Sequence, residues 1–304
     1  MPLAPPRPRG QHALSGLLLL LVFLLVPSAA HAQEEAAPDT VVTGWQTGAS
    51  GKFSATQAGF RNWTQGGVNS LALGIGLDGG ARRVDGRWTQ EHTLRLAFGL
   101  VQQDVEGDDE VRKTDDLIRF RSNLQYTGGN FFAVFKPTIA QEARTQFAYG
   151  FNFDAEDPVR VSQFLSPAFF SQTVGLTYDP AAWITTRLGI EAKETLVLEE
   201  SFRSRFFGAG VDTSSAVRFE VGLGLITDVE RELFPNVLYT SSLGLFAAIN
   251  TAEQPDIIWE NLIAMKVNDW LSVNFEYTAL YDEDQTTELQ MRQVLAVGVS
   301  FILL

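Results

Sequence analysis

The sequence predicts an all-β protein, a closed antiparallel transmembrane β-barrel of about twelve strands that follows a cleaved signal peptide. Three observations predict it. Apolar residues alternate with small or polar ones through most of the chain, the connections between alternating segments switch between long and short, and no apolar run beyond the leader reaches the length of a membrane helix. Composition excludes the simpler alternatives. With 45% hydrophobic residues the chain is not disordered, with no Cys it is not a disulfide scaffold, and its mean hydropathy of zero is too low for a bundle of membrane helices.

At the N-terminus, Arg7 and Arg9 precede an apolar stretch from Leu17 to Val26, then Pro27 and the small-residue sequence Ala30-His31-Ala32. This is the pattern of a secretory leader cut after Ala32, with an apolar core too short to span a bilayer. Its removal takes away two Arg and no acid, leaving 21 cations against 36 anions. An exported, acidic chain is a poor partner for nucleic acid, which needs a basic face, and without Cys there is no lipoprotein acylation site. Residues 33–50 form a short N-terminal linker, and 51–304 the barrel.

Twelve segments carry the alternation: 51–60, 68–78, 87–101, 115–126, 131–143, 168–178, 183–197, 215–227, 236–249, 256–267, 270–281 and 290–303. In the second, Leu71, Leu73, Ile75 and Leu77 interleave with Ala72, Gly74, Gly76 and Asp78. In the eighth, Val217, Phe219, Val221, Leu223 and Leu225 interleave with Arg218, Glu220, Gly222 and Gly224. In the last, Gln293, Leu295, Val297, Val299 and Phe301 face one way, and Arg292, Ala296, Gly298 and Ser300 the other. A soluble sandwich buries its apolar faces and exposes polar ones. Here the second face is small or charged, which suits a barrel with lipid outside and a crowded, wet interior. Such a sheet has to close, since an open edge in hydrocarbon leaves backbone groups without hydrogen bonds.

The connections 102–114, 144–167, 198–214 and 282–289 are long, while 127–130, 179–182 and 268–269 are short. Long loops outside and tight turns inside are the outer-membrane arrangement; two medium connections, 79–86 and 228–235, depart from it. The Gly pairs at 66–67, 79–80 and 128–129 read as hairpin turns. Trp63, Trp88, Trp183, Trp259 and Trp270 fall at or near strand ends, where an aromatic belt meets lipid headgroups.

With the apolar face outward, Arg87, Glu91, Arg95, Arg119, Arg121, Arg187, Glu191, Lys193, Arg218, Glu220, Glu260, Lys266, Glu276 and Arg292 point into the lumen. Two uses of these charges stay open: an ionic lattice that braces the wall, or a charged constriction that selects solutes. Arg95, Arg119 and Arg121, on adjacent strands, make the most basic patch and the place for a filter. The acidic residues Asp104, Glu106 and Asp108–Glu110, then Asp154, Glu156 and Asp157, then Asp282, Glu283, Asp284 and Glu288 read as solvated outer loops, lacking the ligand spacing of a calcium loop.

Catalysis finds little support. After the leader the only His is His92, on the lipid side, so neither a Ser-His triad nor a zinc cluster can be assembled. A lipid-modifying enzyme would have to work through a carboxylate such as Glu191, and the chain is read as a non-enzyme with no cofactor and no metal.

Particular residues carry a resemblance. Gln57, Asn62-Trp63, Gly66-Gly67, Asn69-Ser70, Lys113-Thr114-Asp115-Asp116, Thr145-Gln146-Phe147 with Gly150, and Ser166-Pro167 resemble the motifs of a family of predicted outer-membrane barrels catalogued as domain of unknown function 3078. Asn236-Val237, Asp256, Trp259-Glu260-Asn261, Met265-Lys266-Val267, Tyr281-Asp282 and the segment 290–298 resemble its later motifs, so that the likeness spans about residues 44–304. The resemblance implies an outer-membrane β-barrel and brings no activity or catalytic residues. Barrels of this kind tend to end in an aromatic residue, whereas this chain ends Phe301-Ile302-Leu303-Leu304.

The functional expectation is a porin-like, narrow channel or transporter for small polar solutes in the outer membrane. The alternative is a structural or surface-interaction barrel sealed by its ionic lattice. Expected partners are outer-membrane lipids, lipopolysaccharide and, during biogenesis, the barrel-assembly machinery.

Overall fold

A computed structural model describes residues 44–58, 69–105, 108–153, 158–208, 210–250 and 254–303. The leader, Trp63 and the acidic run Asp154–Asp157 lie outside the described residues.

Twelve strands close into one antiparallel barrel. They are β1 (Gly44–Ala58), β2 (Ser70–Asp85), β3 (Trp88–Val105), β4 (Asp108–Tyr126), β5 (Phe135–Thr145), β8 (Ala168–Ala181), β9 (Ile184–Leu196), β10 (Val217–Phe234), β11 (Val237–Ala248), β12 (Asp256–Lys266), β13 (Leu271–Asp282) and β14 (Thr286–Ile302). Each pairs with its neighbours in sequence, except that a small hairpin, β6 (Gly150–Asn152) with β7 (Val159–Ser162), stands between β5 and β8. The barrel closes where β1 meets β14, from Ser50 opposite Ile302 to Ser54 opposite Gly298.

The expected alternation is what orients the wall. Leu71, Leu73 and Ile75 are exposed on the outside while Ala72, Gly74 and Gly76 between them are not. The same holds for Val174, Leu176, Leu188 and Ile190, and for Leu295, Val297, Val299 and Phe301. Ile190 is 64% exposed, so the apolar face packs against no second layer of protein. A charge placed at mid-height on such a face costs about 2–4 kcal/mol. The usual burial is thus inverted. Among the described residues the one buried apolar cluster is Val197, Phe202 and Phe207, in the connection between β9 and β10 rather than in the barrel.

At the end of the barrel where β1 begins and β14 finishes, the connections are short. A chain of ring contacts runs from Trp88 to Tyr126, Phe132, Phe131, Phe135 and Tyr178 around this rim. Trp183 and Trp270 stand exposed at the same end. Trp259 faces outward further along the wall, where its indole N–H donates to Ser241 Oγ at 3.0 Å.

Several boundaries differ from expectation. Strand β1 starts at Gly44, seven residues before the expected residue 51. The segment 131–134 is a helical turn (α1, Phe131–Val134) rather than the start of a strand. The two medium connections do not exist. Gly79 and Gly80 sit in mid-strand, paired with Leu94 and Thr93, and the turn lies at Gly86-Arg87, where Gly86 has a φ of 58°. Likewise β10 continues to Phe234 and turns at Pro235-Asn236. The connections 102–114 and 282–289 are mostly strand as well, so β3 and β4 form a hairpin that outruns its neighbours. With these changes the β2–β3, β8–β9, β10–β11 and β12–β13 connections are tight turns at one end, the periplasmic one in barrels of this type, although the β3–β4 and β13–β14 connections at the other end are short as well.

Candidate functional site in the lumen

Strand order places the inward charges. Twelve strands put β4 and β12 six apart either way round the ring, yet Arg119 of β4 reaches Glu260 of β12 in a two-pronged pair, at 2.6 and 2.9 Å. This is a bridge across the full width of the lumen. Arg121 pairs with Glu142 of β5 at 2.6 Å, and that carboxylate also lies 3.5 Å from Arg119 Nε. In the register Arg95 stands opposite Arg119 on the neighbouring strand, and neither is a free cation. Arg95 reaches Glu276 of β13 at 2.9 Å and Asp78 of β2 at 3.9 Å.

The transverse bridge divides the lumen into two unlike halves. Beside β1, β2, β3, β13 and β14 lies a cavity of about 570 Å³ that extends out to the closing seam. Its ion pairs are Lys52 with Asp78 (2.7 Å), Arg95 with Glu276, and Arg292 with Asp115 of β4 (3.0 Å). These side chains are partly hydrated: Arg95 is 35% and Arg292 43% exposed.

Beside β8 to β12 the cavity shrinks to about 150 Å³. Lys193 of β9 is held there by Asp256, by Glu220 at 3.5 Å and by Asp282 at 4.0 Å. Arg218 donates to the Phe207 carbonyl at 2.7 Å and pairs with Glu220 and Asp284. Arg218 is 5% and Glu220 2% exposed. Asp282 and Asp284, expected in a solvated loop, instead turn inward, because the two buried cations beneath them need counter-charge. Asp284, in the tight turn after β13, has its pKa pushed up to about 6: burial is the main cause, opposed by Arg218 and reinforced by Asp282 and Glu220.

Glycines let the wall approach its contents on this side. Gly175, Gly189 and Gly224 lie opposite one another on β8, β9 and β10. A Cβ at Gly224 would overlap the carboxylate of Glu191, which instead accepts from Thr173 Oγ1 at 3.1 Å. Arg187 donates to Asn123 Oδ1 at 3.2 Å, bridging β9 to β4. Of the expected inward charges, Arg87 lies in the β2–β3 turn and Lys266 at the turn end, beside Asp269, so these two do not line the lumen.

At the loop end a third cavity of about 780 Å³ forms a vestibule above the bridge. Its shape depends on how the β5–β8 connection is fastened. Asp116 accepts from the backbone N–H groups of Phe147 and Ala148 at 2.7 and 2.9 Å and pairs with Lys113 at 2.8 Å. Lys113 also donates to Gln146 Oε1 and the Ala148 carbonyl, while Gln146 Nε2 donates to the Gln163 carbonyl. A Cβ at Gly150 would overlap Ser162 Oγ, so glycine allows the hairpin to close there.

Residues 55–151 match the family described as protein of unknown function (DUF3078). The Lys113–Asp116, Gln146-Phe147 and Gly150 motifs of this family segment are therefore the fastening of a loop to a barrel rim. The later motifs, from Asn236 onward, lie outside the matched stretch, and two of them, at Asp256 and at Tyr281-Asp282, supply the Lys193 cluster. No curated protein matches the chain. Among solved structures the fold is similar to the translocator domain of the autotransporter NalP from Neisseria meningitidis, with 12% identity over 86% of this chain and 90% of that one and a TM-score of 0.37. It is also similar to an outer membrane channel from Pseudomonas putida F1, with 12% identity over 88% and 99% and a TM-score of 0.36.

Sequence reasoning missed Arg144. It ended β5 at residue 143, although Thr138, Ala140 and Glu142 already set an inward phase that Arg144 continues. Arg144 stands opposite Arg119 in the register, on the same inward face, its guanidinium 5.0 Å from the Phe169 ring.

Proposed function

We propose that the protein is a narrow outer-membrane channel for small polar solutes, with its path through the hydrated half of the lumen. The observation that carries this reading is the 570 Å³ cavity whose cations keep a third or more of their surface in water. Hydrated pairs of this kind contribute little stability and exchange partners readily, so a passing ion or polar molecule can replace one partner at small cost. In the same reading residues 1–32 are a leader removed on export, and the partners are outer-membrane lipids, lipopolysaccharide and the assembly machinery.

A sealed structural barrel is the second reading, favoured by the Arg119–Glu260 bridge across the middle. Single-channel recording in planar bilayers separates the two, using protein shown to be folded by its heat-shifted gel mobility. The channel reading expects small stepwise conductance in the wild type. A silent wild type, with conductance gained in Glu260→Gln, would establish the sealed barrel instead.

A further inference from the structure

The vestibule holds a cation without a carboxylate partner among the described residues. Arg144, at its floor, lies over Phe169 but makes neither a hydrogen bond nor an ion pair among the described residues. Three cavities meet at this side chain: the vestibule and two smaller spaces of about 300 and 150 Å³ beneath it. Arg205, on the short helix α2 (Arg203–Phe206), lines the vestibule too and has no carboxylate partner among the described residues. A third donor is in place in the amide of Gln290, whose Nε2 is buried without a partner. The acid in the lining, Asp116, is already occupied by Lys113 and two backbone N–H groups. Donors are thus in excess, and two rings, Phe169 and Phe206, stand beside them.

An unsatisfied guanidinium and an orphaned amide in one cavity want an oxyanion, and a guanidinium stacked on a ring leaves its edge free for the two-point hold that a carboxylate offers. We infer that the vestibule is a binding site for small organic anions, with a carboxylate seated on Arg144 and a flat body lying against Phe169. This names the class of solute for the channel proposed above and rests on that reading for the fate of the bound molecule; binding itself needs no pore. The site also sets a cationic step at the mouth of the lumen, so that entry favours anions hydrated weakly enough to give up water at Arg144.

The test uses the folded full chain in detergent micelles and benzoate as the probe, followed by calorimetry, with benzyl alcohol, benzylamine and inorganic phosphate alongside. Benzoate is expected to bind at one site, and Arg144→Gln to weaken it about tenfold, the scale of a lost charge-assisted bidentate contact. Arg205→Gln, on an exposed turn where folding is not at stake, is expected to weaken it about threefold. Absence of benzoate binding, unchanged affinity in Arg205→Gln and in a folded Arg144→Gln, or equal affinity for benzyl alcohol or phosphate would overturn the site. Recordings on the same preparation keep the two ideas apart. A conducting barrel that ignores benzoate loses the site and keeps the channel, while a silent barrel that binds it keeps the site and loses the channel.

Discussion

The two halves of the lumen are built from the same side chains and have opposite physics. On the β1–β3 and β13–β14 side, Arg95 and Arg292 keep 35% and 43% of their surface exposed and make one close pair each. On the β9–β13 side, Lys193 and Arg218 are nearly dehydrated and are shared among Glu220, Asp256, Asp282 and Asp284. Water accounts for the difference. A hydrated ion loses little when its partner leaves, whereas an ion stripped of water needs several oxygens around it to offset desolvation. Packing decides which half dries out. Phe202 and Phe207 bury themselves over the β9–β10 side, each stabilising the fold by roughly 1.5–3 kcal/mol, and the Phe207 carbonyl caps Arg218. The lesson is that a charged lumen can be a brace and a passage at once, divided by where the loops fall.

The sharpest way to break this comparison is to remove the dry-side cation. Lys193→Met leaves Glu220, Asp256 and Asp282 facing one another in a small, nearly water-free space. Stranding buried charges in this way costs about 3–5 kcal/mol, so the urea midpoint for loss of the folded gel band should fall sharply. A midpoint close to that of the wild type would show that water reaches this half as freely as the other.

A smaller effect is expected from Arg95→Gln. It frees Glu276, already in contact with water, while Asp78 keeps Lys52, and should change stability by no more than about 1 kcal/mol. Its signature should appear in bilayer recordings, as a reversal potential moved toward cation selectivity, because the hydrated half then carries one uncompensated carboxylate. Unaltered selectivity with altered stability would exchange the roles of the two halves.

All twelve barrel strands and the direction of their faces were legible in the sequence, because period-two alternation depends only on neighbours along one strand. What could not be read depends on closure. Arg119 and Glu260 lie 141 positions apart with no local mark of their pairing, and they become opposed only once the ring is known to hold twelve strands. The inward turn of Asp282 and Asp284 has the same origin, since an acidic run reads as solvated until a buried Lys193 and Arg218 are placed beneath it. The misplaced turn at Gly79-Gly80 has another cause. Paired glycines are a strong hairpin signal, but here they only continue the strand, Gly79 opposite the outward Leu94 and Gly80 opposite Thr93, and with no side chain on either face the alternation falls silent at that point.

The smallest effect expected is a pH dependence confined to the dry half. Asp284 lies outside the strands, in the turn that meets Arg218, and its pKa is raised from the ordinary 3.8 to about 6, mainly by burial. Arg218 favours the ionised form, while Asp282 and Glu220 oppose it. A raised acid pKa means that the docked turn holds the proton more tightly than the released turn does. Docking is therefore strongest below about pH 4, weakens as pH climbs from about 4 to about 6, and is flat above that range. Because the chain has no Cys, a single Ser204→Cys on the exposed helix beside this turn can carry an environment-sensitive dye. Its emission should move toward that of a wetter site across the same interval, and the slope should vanish in Asp284→Asn. A slope that persists in that variant would assign the titration to another group and leave the docking of the β9–β10 connection independent of this carboxylate.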